Sequence, residues 1–436
     1  MRISQAVILI SSEPGKKILG LSPLERVLLT ASQAGVKDFI LVGRDGVEEA
    51  DILSPLLKDK RFRERGIRPE FVPLSRLAGL GTGGRIRSRF WLMEDRLVFA
   101  PAIMEKAASA DPSLSRDIRI VANGGADGTE GSFAGLGLCL GASFSRIASA
   151  LAKRGATDLD TEAAAAIFPP PTTQPVEAGE HYCEAVKSRE AARRAGRYLI
   201  GTARKPTDGF FSRNFNRHIS TFLTRQLLRL NVRPMEISFV VLAIGILSGI
   251  FEGKGGYRNA AIGALLFELA SIVDGCDGEN ARLTHRISKF GGTFDIAGDA
   301  ATFVFFFLNL PIGLYRSSRN DLWLALGAVS FISMIFFYFQ IGKFTKRTGI
   351  GNNIVAIAKD IEKSSERPGF AGKLDWMAAK LVPVYRRDFF ATGAFLFIVC
   401  GGAKLFMGII AVLAPLEAAY IYFYTRRRMK EALVEA

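Results

Sequence analysis

The segment DGCDGENARLTHRISKFGGTFDIAGD, residues 274–299, contains four aspartates, and apolar stretches of helical length lie on both sides of it. Asp274 and Asp277 are three positions apart and share one face of a helix, and Asp295 and Asp299, four apart, share a face of the next. Charges beside membrane-length segments are costly and usually functional. Because a short turn joins the two helices, the segment predicts one site that contains four carboxylates.

The apolar residues are concentrated in the C-terminal half of the chain. The sequence has 436 residues, is 49% hydrophobic and carries a formal net charge of +15. That charge suits nucleic acid, anionic lipid or the cytoplasmic face of a membrane. Six stretches, each able to span roughly 30 Å as a helix, favour the membrane and predict no nucleic-acid partner. These stretches are residues 235–252, 257–275, 290–315, 321–342, 388–403 and 405–425.

Basic residues predict how these stretches cross the membrane. Lys and Arg cluster before the first stretch, between the second and third, between the fourth and fifth, and after the sixth. Cytoplasmic loops carry an excess of these residues. We therefore predict a six-helix, all-α transmembrane domain in the cell (inner) membrane, with both termini and the N-terminal half of the chain in the cytoplasm.

A further helix is predicted over residues 209–230, just before the first span. Its apolar side chains form one stripe and its arginines lie off that stripe, which suits an amphipathic helix in the membrane surface; a soluble helix packed on its neighbours is the alternative. The stripe comprises Phe211, Phe215, Ile219, Phe222, Leu223 and Leu227, and the arginines are Arg213, Arg217, Arg225 and Arg229.

The N-terminal half has the pattern of a soluble α/β domain. Buried strands are expected over residues 4–10, 37–43, 68–74 and 90–100, and residues 21–36 have helical spacing. Strands that alternate with helices predict a sheet covered on both faces. The Pro-rich residues 153–182 are expected to form a surface loop, and a closing helix is expected before residue 201. We predict domains at 1–204 and 233–436, with 205–232 as linker and interfacial helix.

Four carboxylates so close together cannot all stay ionised without cations. All-oxygen ligands favour Mg²⁺ or Mn²⁺, and two ions are expected. Gly278 and Ala281 leave room for a ligand beside the first acidic helix, and Arg282, Arg286 and Lys289 add positive charge. Metals and basic side chains together form a site for phosphates. One carboxylate could deprotonate an alcohol, whereas a divalent-cation transporter is the competing interpretation.

The same residues resemble the signature of the CDP-alcohol phosphotransferase (CDP-alcohol phosphatidyltransferase) family. That signature is filled at every position by Asp274, Asp277, Gly278, Ala281, Arg282, Gly291, Asp295 and Asp299. The resemblance implies a transferase that moves a phosphoryl-alcohol group from a CDP-linked donor to an acceptor hydroxyl and releases CMP. The six spans and the preceding surface helix also fit the family, and a homodimer is a further expectation.

The resemblance also implies roles for individual residues. Asp274, Asp277 and Asp295 would hold the divalent ions, with Asp299 near them as the base. Gly278, Ala281, Arg282 and Ser288 would contact the CDP portion. Arg386 and Arg387, at the start of the fifth span, are candidates for binding the phosphate of the acceptor, with the slightly favoured alternative that they anchor that helix at the interface. The donor, CDP-diacylglycerol or a soluble CDP-alcohol, and the acceptor, a polyol or polyol phosphate, stay open.

The N-terminal half resembles a sugar-phosphate nucleotidyltransferase of the cytidylyltransferase type. The order of KKILGLSPLERVLLTASQAGV, GLGTGGRIRSRFWLMEDRLVFAP and a closing helix carries this resemblance, and Asp95 matches a metal-binding aspartate of that family. The loop that cradles a triphosphate through backbone N–H groups reads SSEPGKK here and retains a single glycine, Gly15. We therefore expect this domain to have lost catalysis. The alternative for the whole chain is a divalent-cation transporter with a regulatory nucleotide-binding domain.

Overall fold

The computed structural model describes residues 3–11, 15–111, 115–122, 133–155, 157–204, 209–348, 354–365, 370–381 and 387–434. The chain divides into two compact units. The first comprises Met1–Thr202 with Leu283–His285, and the second comprises Ala203–Arg282 with Arg286–Ala436.

The first unit is built on a mixed seven-stranded sheet in the order β3-β2-β1-β4-β7-β6-β8, and a separate two-stranded sheet pairs β5 with β9. The strands are β1 (Gln5–Leu9), β2 (Asp38–Gly43), β3 (Glu70–Pro73), β4 (Arg89–Glu94), β5 (Leu97–Phe99), β6 (Asp117–Val121), β7 (Phe133–Leu140), β8 (Thr173–Glu177) and β9 (Cys183–Ala185). Strand β7 runs antiparallel to β4 and β6, while the other neighbours in the large sheet are parallel.

Helices cover both faces of this sheet, as the sequence predicts. In β1, Ala6 and Ile8 belong to one apolar core cluster, and Val7 and Leu9 belong to another. Alternate residues of a strand point to opposite faces, so each face has its own core. The helices of this unit are α1 (Pro23–Gln33), α2 (Glu49–Lys58), α3 (Lys60–Glu64), α4 (Leu77–Thr82), α5 (Ala102–Ala110), α6 (Phe144–Arg154), α7 (Thr161–Ile167) and α8 (Arg189–Ala203).

The Pro-rich residues 153–182 do not form the predicted surface loop. They contain α7 and β8, which is the last strand of the large sheet. Asp160 caps α7 by accepting a hydrogen bond from the backbone N–H of Ala163 at 2.7 Å. Pro175 is tolerated within β8 because an edge strand need not donate every backbone hydrogen bond.

The second unit is helical, and within the part of it that the structure describes, five helices are long and apolar enough to cross a membrane. A π-helical turn at Ser212–Asn216 leads into α9 (Arg217–Arg229). The helices that follow are α10 (Pro234–Lys254), α11 (Tyr257–Leu283), α12 (Lys289–Ser318), α13 (Leu322–Thr348), α14 (Ile354–Ser364), α15 (Phe370–Leu381), α16 (Arg387–Val399) and α17 (Ala403–Val434). The five candidate spans lie in α10, α11, α12, α13 and α17.

The predicted fifth span corresponds to α16, which has only 13 residues. At about 1.5 Å per residue it is about 20 Å long, shorter than the roughly 30 Å apolar layer of a bilayer. Among the described residues, α16 is therefore not one of the five long candidates, and the six-span count stays a prediction.

Small residues bring α10 and α12 into close contact. A Cβ added at Gly245 would lie 2.1 Å from Cγ2 of Thr302, and one added at Gly249 would lie 3.1 Å from Cβ of Phe305. Such glycines let two membrane helices pack backbone against side chain. The contact between Gly245 and Thr302 lies one turn beyond Asp299 and so helps to position this part of α12.

The helix predicted to lie in the membrane surface buries a polar face, and Leu223 and Leu227 of its predicted apolar stripe pack partly buried against an apolar cluster. Arg217, Ser220 and Thr224 of α9 are buried, whereas Ile219 and Phe222 of the predicted apolar stripe are exposed. Arg217 lies off the stripe, as expected, but packs inside the unit. An exposed apolar stripe is compatible with a lipid surface, so the interfacial location stays a prediction.

Candidate metal centre

Helices α11 and α12 bring three of the four signature aspartates together. Each of Asp274, Asp277 and Asp295 offers a carboxylate oxygen, and these three atoms lie within 4.8 Å of one another. Asp274 and Asp277 lie near the C-terminal end of α11, and Asp295 lies two turns into α12. The hydroxyl of Ser288 caps α12 by accepting from the backbone N–H of Gly291 at 3.0 Å.

The side chain of Asp277 is oriented by a neighbouring helix. The hydroxyl of Ser238, on α10, donates to Oδ2 of Asp277 at 2.5 Å, and Asp277 is 8% exposed. Carboxylates that hold metals are commonly held in place by such hydrogen bonds. Ser238 was not among the residues singled out from the sequence.

The fourth aspartate is connected to the others through an arginine. Nη1 of Arg387 lies 3.0 Å from Oδ1 of Asp274, and the same guanidinium is ion-paired with Asp299. Arg387 begins α16, so this helix delivers a positive charge to the acidic faces of α11 and α12. Arg386, the other residue predicted to bind the acceptor phosphate, lies outside the described residues.

The donor atoms of this centre fit a divalent cation. Three carboxylates within 4.8 Å repel one another unless positive charge lies between them. Their ligand atoms are all oxygen, which hard cations prefer, and no sulfur or imidazole ligand joins them among the described residues. The geometry therefore supports a divalent metal without identifying the ion.

Of the residues predicted to contact CDP, Gly278, Ala281 and Arg282 lie on α11, and Ser288 precedes α12. A Cβ at Gly278 would lie 3.0 Å from Nη1 of Arg282, so the glycine leaves space for the guanidinium. Nε of Arg282 donates to the backbone oxygen of Ala203 at 2.7 Å. Ala281 is half-buried on the same helix, and Ser288 is exposed at the start of α12.

A buried carboxylate within the signature was missed from the sequence. Glu279 is fully buried and accepts hydrogen bonds from Arg217 at 2.7 Å, Ser220 at 2.8 Å and Thr224 at 2.7 Å. Its partners are spaced by three and four positions on α9. That polar stripe, opposite the apolar one, was the signal that could have indicated a buried acidic partner.

The first unit has an acidic cavity at the C-terminal ends of β1 and β4. It encloses about 280 Å³, and Ser11, Asp95 and Asp158 are among the residues that line it. Burial raises the pKa of Asp95 to about 6, although a hydrogen bond from the hydroxyl of Ser11 at 3.0 Å opposes the shift. Ligands of open α/β sheets bind at this edge.

Two sequence features of this unit have other outcomes. The glycine-rich residues 81–84, GTGG, do not line this cavity, and the first two of them end α4. Lys187 instead faces the cavity and is ion-paired with Glu94 at 2.9 Å. Burial raises the pKa of Glu94, and the Lys187 charge opposes that shift. Residues 12–14 of the degenerate loop lie outside the described residues.

Comparisons with known proteins agree with the signature. Residues 230–357 match the family model described as CDP-alcohol phosphatidyltransferase. A protein of Archaeoglobus fulgidus named bifunctional IPC transferase and DIPP synthase is 38% identical over 111 residues, which are 25% of this chain and 22% of that protein. A protein of the same name from Thermococcus kodakarensis is 40% identical over 111 residues, or 25% and 24% of the two chains. The match therefore spans about a quarter of the length of these relatives.

Solved structures resemble the chain more distantly. A putative glucose-1-phosphate thymidylyltransferase from Bacillus anthracis has a TM-score of 0.34 at 9% identity, covering 45% of this chain and 94% of that one. The inositol-1-phosphate CTP transferase of T. maritima has a TM-score of 0.32 at 14% identity, covering 44% and 92%.

The family match includes all four aspartates and both helices that carry them. Neither the family match nor the relatives support a divalent-cation transporter. The resemblance of the aspartate signature to this family is confirmed, and residues 230–357 of this chain carry a CDP-alcohol phosphatidyltransferase domain.

Proposed function

We propose that this protein is an integral-membrane transferase that moves a phosphoryl-alcohol group from a CDP-linked donor to the hydroxyl of an acceptor alcohol. The observation that carries the proposal is the convergence of Asp274, Asp277 and Asp295, with Arg387 joining Asp274 to Asp299. The reaction would serve the synthesis of a phospholipid or of a polyol phosphodiester.

The proposed chemistry is a displacement at phosphorus. The acceptor oxygen forms a bond to the phosphorus that carries the donor alcohol, the anhydride bond to CMP breaks, and CMP leaves. Asp299 takes the proton of the acceptor hydroxyl, a role in which a positioned carboxylate is effective. Asp299 is about one-third exposed, which leaves it open to a substrate.

Asp274, Asp277 and Asp295 would hold Mg²⁺ or Mn²⁺, with two ions expected and Asp299 at the edge of the group. When bound, such ions neutralise phosphate charge and orient the donor. Arg387 would contribute a further positive charge for the donor or acceptor phosphate. Arg282, together with Gly278, Ala281 and Ser288, would receive the CDP portion.

The proposed organisation has a cytidylyltransferase-like domain at 1–204, a linker and interfacial helix at 205–232, and a six-helix membrane domain at 233–436. Both termini and the first domain would be cytoplasmic in the cell (inner) membrane, and a homodimer is compatible with the family. The first domain would not transfer cytidylyl groups, because its phosphate-cradling loop is degenerate; it would act as a scaffold or a nucleotide sensor.

The proposal is tested by the product of a defined reaction. Purified full-length protein with Mg²⁺ is given labelled CDP-diacylglycerol or a soluble CDP-alcohol, each with inositol, inositol phosphate or glycerol phosphate. We expect release of CMP that requires both a divalent metal and an added alcohol, with the label recovered in a phosphodiester. Metal movement across vesicles without any CMP release would instead favour a transporter.

A further inference from the structure

The connection between α13 and α16 carries two short helices, α14 and α15, that the proposed chemistry does not use. Helix α15 has 12 residues and lies beyond the end of the family match at residue 357. One of its faces is held inside the second unit. Asp375, which is 1% exposed, is ion-paired with Arg427 of α17 and accepts a hydrogen bond from the hydroxyl of Tyr420 at 3.0 Å. Ala378 packs, partly buried, against an apolar cluster formed by α13, α14 and α17.

These contacts hold α15 beside the ends of two candidate membrane spans. The candidate span of α17 covers Ala403–Met429, so Tyr420 and Arg427, the partners of Asp375, lie in its last three turns. The buried cluster residues of α13 lie in the last two turns of its span, Leu322–Lys346. Tyrosines and basic residues at the ends of spans lie at the level of the lipid headgroups. Helix α15 therefore lies at that level.

The opposite face of α15 is exposed, and it combines apolar with basic side chains. Trp376 and Met377 are 55% and 56% exposed, Leu374 is 39% exposed, and Lys373 and Lys380 are exposed as well. At 3.6 residues per turn, these five side chains share the face that points away from α17. Such a mixture is typical of helices in a membrane surface, where apolar groups enter the lipid and lysines reach the phosphates.

The charge of this face selects among lipids. The one acidic residue in α15 is Asp375, which is buried and paired, so the exposed face carries the positive charges of Lys373 and Lys380 alone. We propose that this face binds anionic phospholipid headgroups of the surrounding bilayer. A soluble acidic partner fits less well, because α15 is fixed at the level of the headgroups and exposes a tryptophan there. The proposal goes beyond the transferase reaction and does not rest on it.

Trp376 allows this contact to be measured directly, because brominated acyl chains quench tryptophan fluorescence on contact. Full-length protein is reconstituted into equimolar phosphatidylcholine and phosphatidylglycerol, with either the one lipid or the other brominated. Subtracting the emission of Trp376→Phe removes the signal of the other two tryptophans, Trp91 and Trp323. Each lysine near an anionic surface strengthens attachment roughly fivefold, so brominated phosphatidylglycerol should quench Trp376 at least about twofold more than brominated phosphatidylcholine.

Lysine replacements show whether the preference comes from this face. The double variant Lys373→Gln with Lys380→Gln should be quenched equally by the two lipids. The control pair Lys254→Gln with Lys404→Gln should keep the wild-type preference; both of these lysines are exposed, and Lys254, like Lys380, lies over an aromatic ring.

Three results would overturn the proposal. Equal quenching of the wild type by both lipids would mean that the face does not select anionic headgroups. Quenching of Trp376 by aqueous iodide and by neither lipid would place the face in water, and protection from iodide and from both lipids would mean that protein covers it. None of these measurements requires CMP release, so failure of the proposed reaction leaves the test of α15 intact.

Discussion

Asp295 and Asp299 are one turn apart on α12, yet they have different surroundings. Asp295 joins the group of three carboxylates, whereas Asp299 is ion-paired with Arg387. Identical side chains acquire different roles when their neighbours differ, because the neighbours decide which charges each carboxylate faces. The two positions should therefore respond differently to the same substitution.

Asp299→Asn removes the proposed proton acceptor and nearly preserves the shape of the side chain. We expect kcat for CMP release to fall by about 10²–10⁴, the usual contribution of a general base, with binding of the CDP donor largely retained. Asp295→Asn should instead weaken the binding of Mn²⁺ in a calorimetric titration. Asp321→Asn, in the exposed turn before α13, is the control. Near-normal turnover in Asp299→Asn would refute the assignment.

Glu279 should matter for stability more than for chemistry. Its carboxylate is buried and paired with Arg217, whose side chain is also buried. Removing one member of a buried ion pair leaves the other charge uncompensated and costs about 3–5 kcal/mol. Glu279→Gln should therefore lower Tm in a detergent-solubilised thermal unfolding assay by several degrees, while the exposed control Glu362→Gln should not. An unchanged Tm would show that the pair does not hold α9 in place.

At the scale of helices, the contact between α10 and α12 positions the aspartate face. The side chain of Thr302 is fully buried against Gly245, and its hydroxyl donates to the backbone oxygen of Asp299 at 2.8 Å. Any displacement of Thr302 is therefore transmitted to the backbone of the proposed base.

Gly245→Ala should push the two helices apart, because the new Cβ would lie 2.1 Å from Cγ2 of Thr302. Overpacking of this kind costs about 1–3 kcal/mol, and we expect both a lower Tm and a lower kcat. Gly342→Ala in α13, where nothing lies within 4 Å of the added atom, should change neither. The two variants are compared in one thermal assay and one CMP-release assay; equal behaviour would mean that α12 is not positioned by this contact.

At the scale of the whole molecule, the short helix α16 decides the topology. The cysteines at 139, 183 and 276 are buried, and Cys400, just after α16, is exposed. If α16 crosses the membrane, Cys400 lies outside, and a membrane-impermeant maleimide should label the wild-type protein in intact cells. Cys400→Ser should abolish that labelling, and Ser365→Cys added to it should react only after permeabilisation. Labelling of Cys400 solely after permeabilisation would refute the six-span prediction.

The first unit should not make the donor that the second unit uses. Backbone donors aimed at developing charge are worth several kcal/mol in catalysis, and SSEPGKK retains one glycine of the cradling loop. We expect the full-length protein to release no pyrophosphate from CTP with any polyol phosphate. Release that depends on a polyol phosphate and disappears in Asp95→Ala would show that the protein is bifunctional.

Much of this protein could be predicted from local patterns. The strands at 5–9, 38–43 and 70–73 are apolar runs of strand length, and the spacing of the four aspartates places two on each helix face. Such features depend on backbone periodicity, which the order of residues expresses directly. The prediction of a surface loop in the Pro-rich segment was wrong, because β8 is stabilised by pairing with β6, a strand more than 50 residues away in the chain.

The amino-acid sequence alone determined the α/β first unit, the apolar helices of the second, and the spaced aspartates whose resemblance to the family is confirmed. Only the tertiary structure decided which carboxylates meet, that Arg387 joins Asp274 to Asp299, and that Glu279 is buried against α9. The physical reason is the distance along the chain over which each kind of interaction acts. Periodicity along one helix is local, whereas ion pairs and cavities arise between helices whose separation is set by packing of small and large side chains.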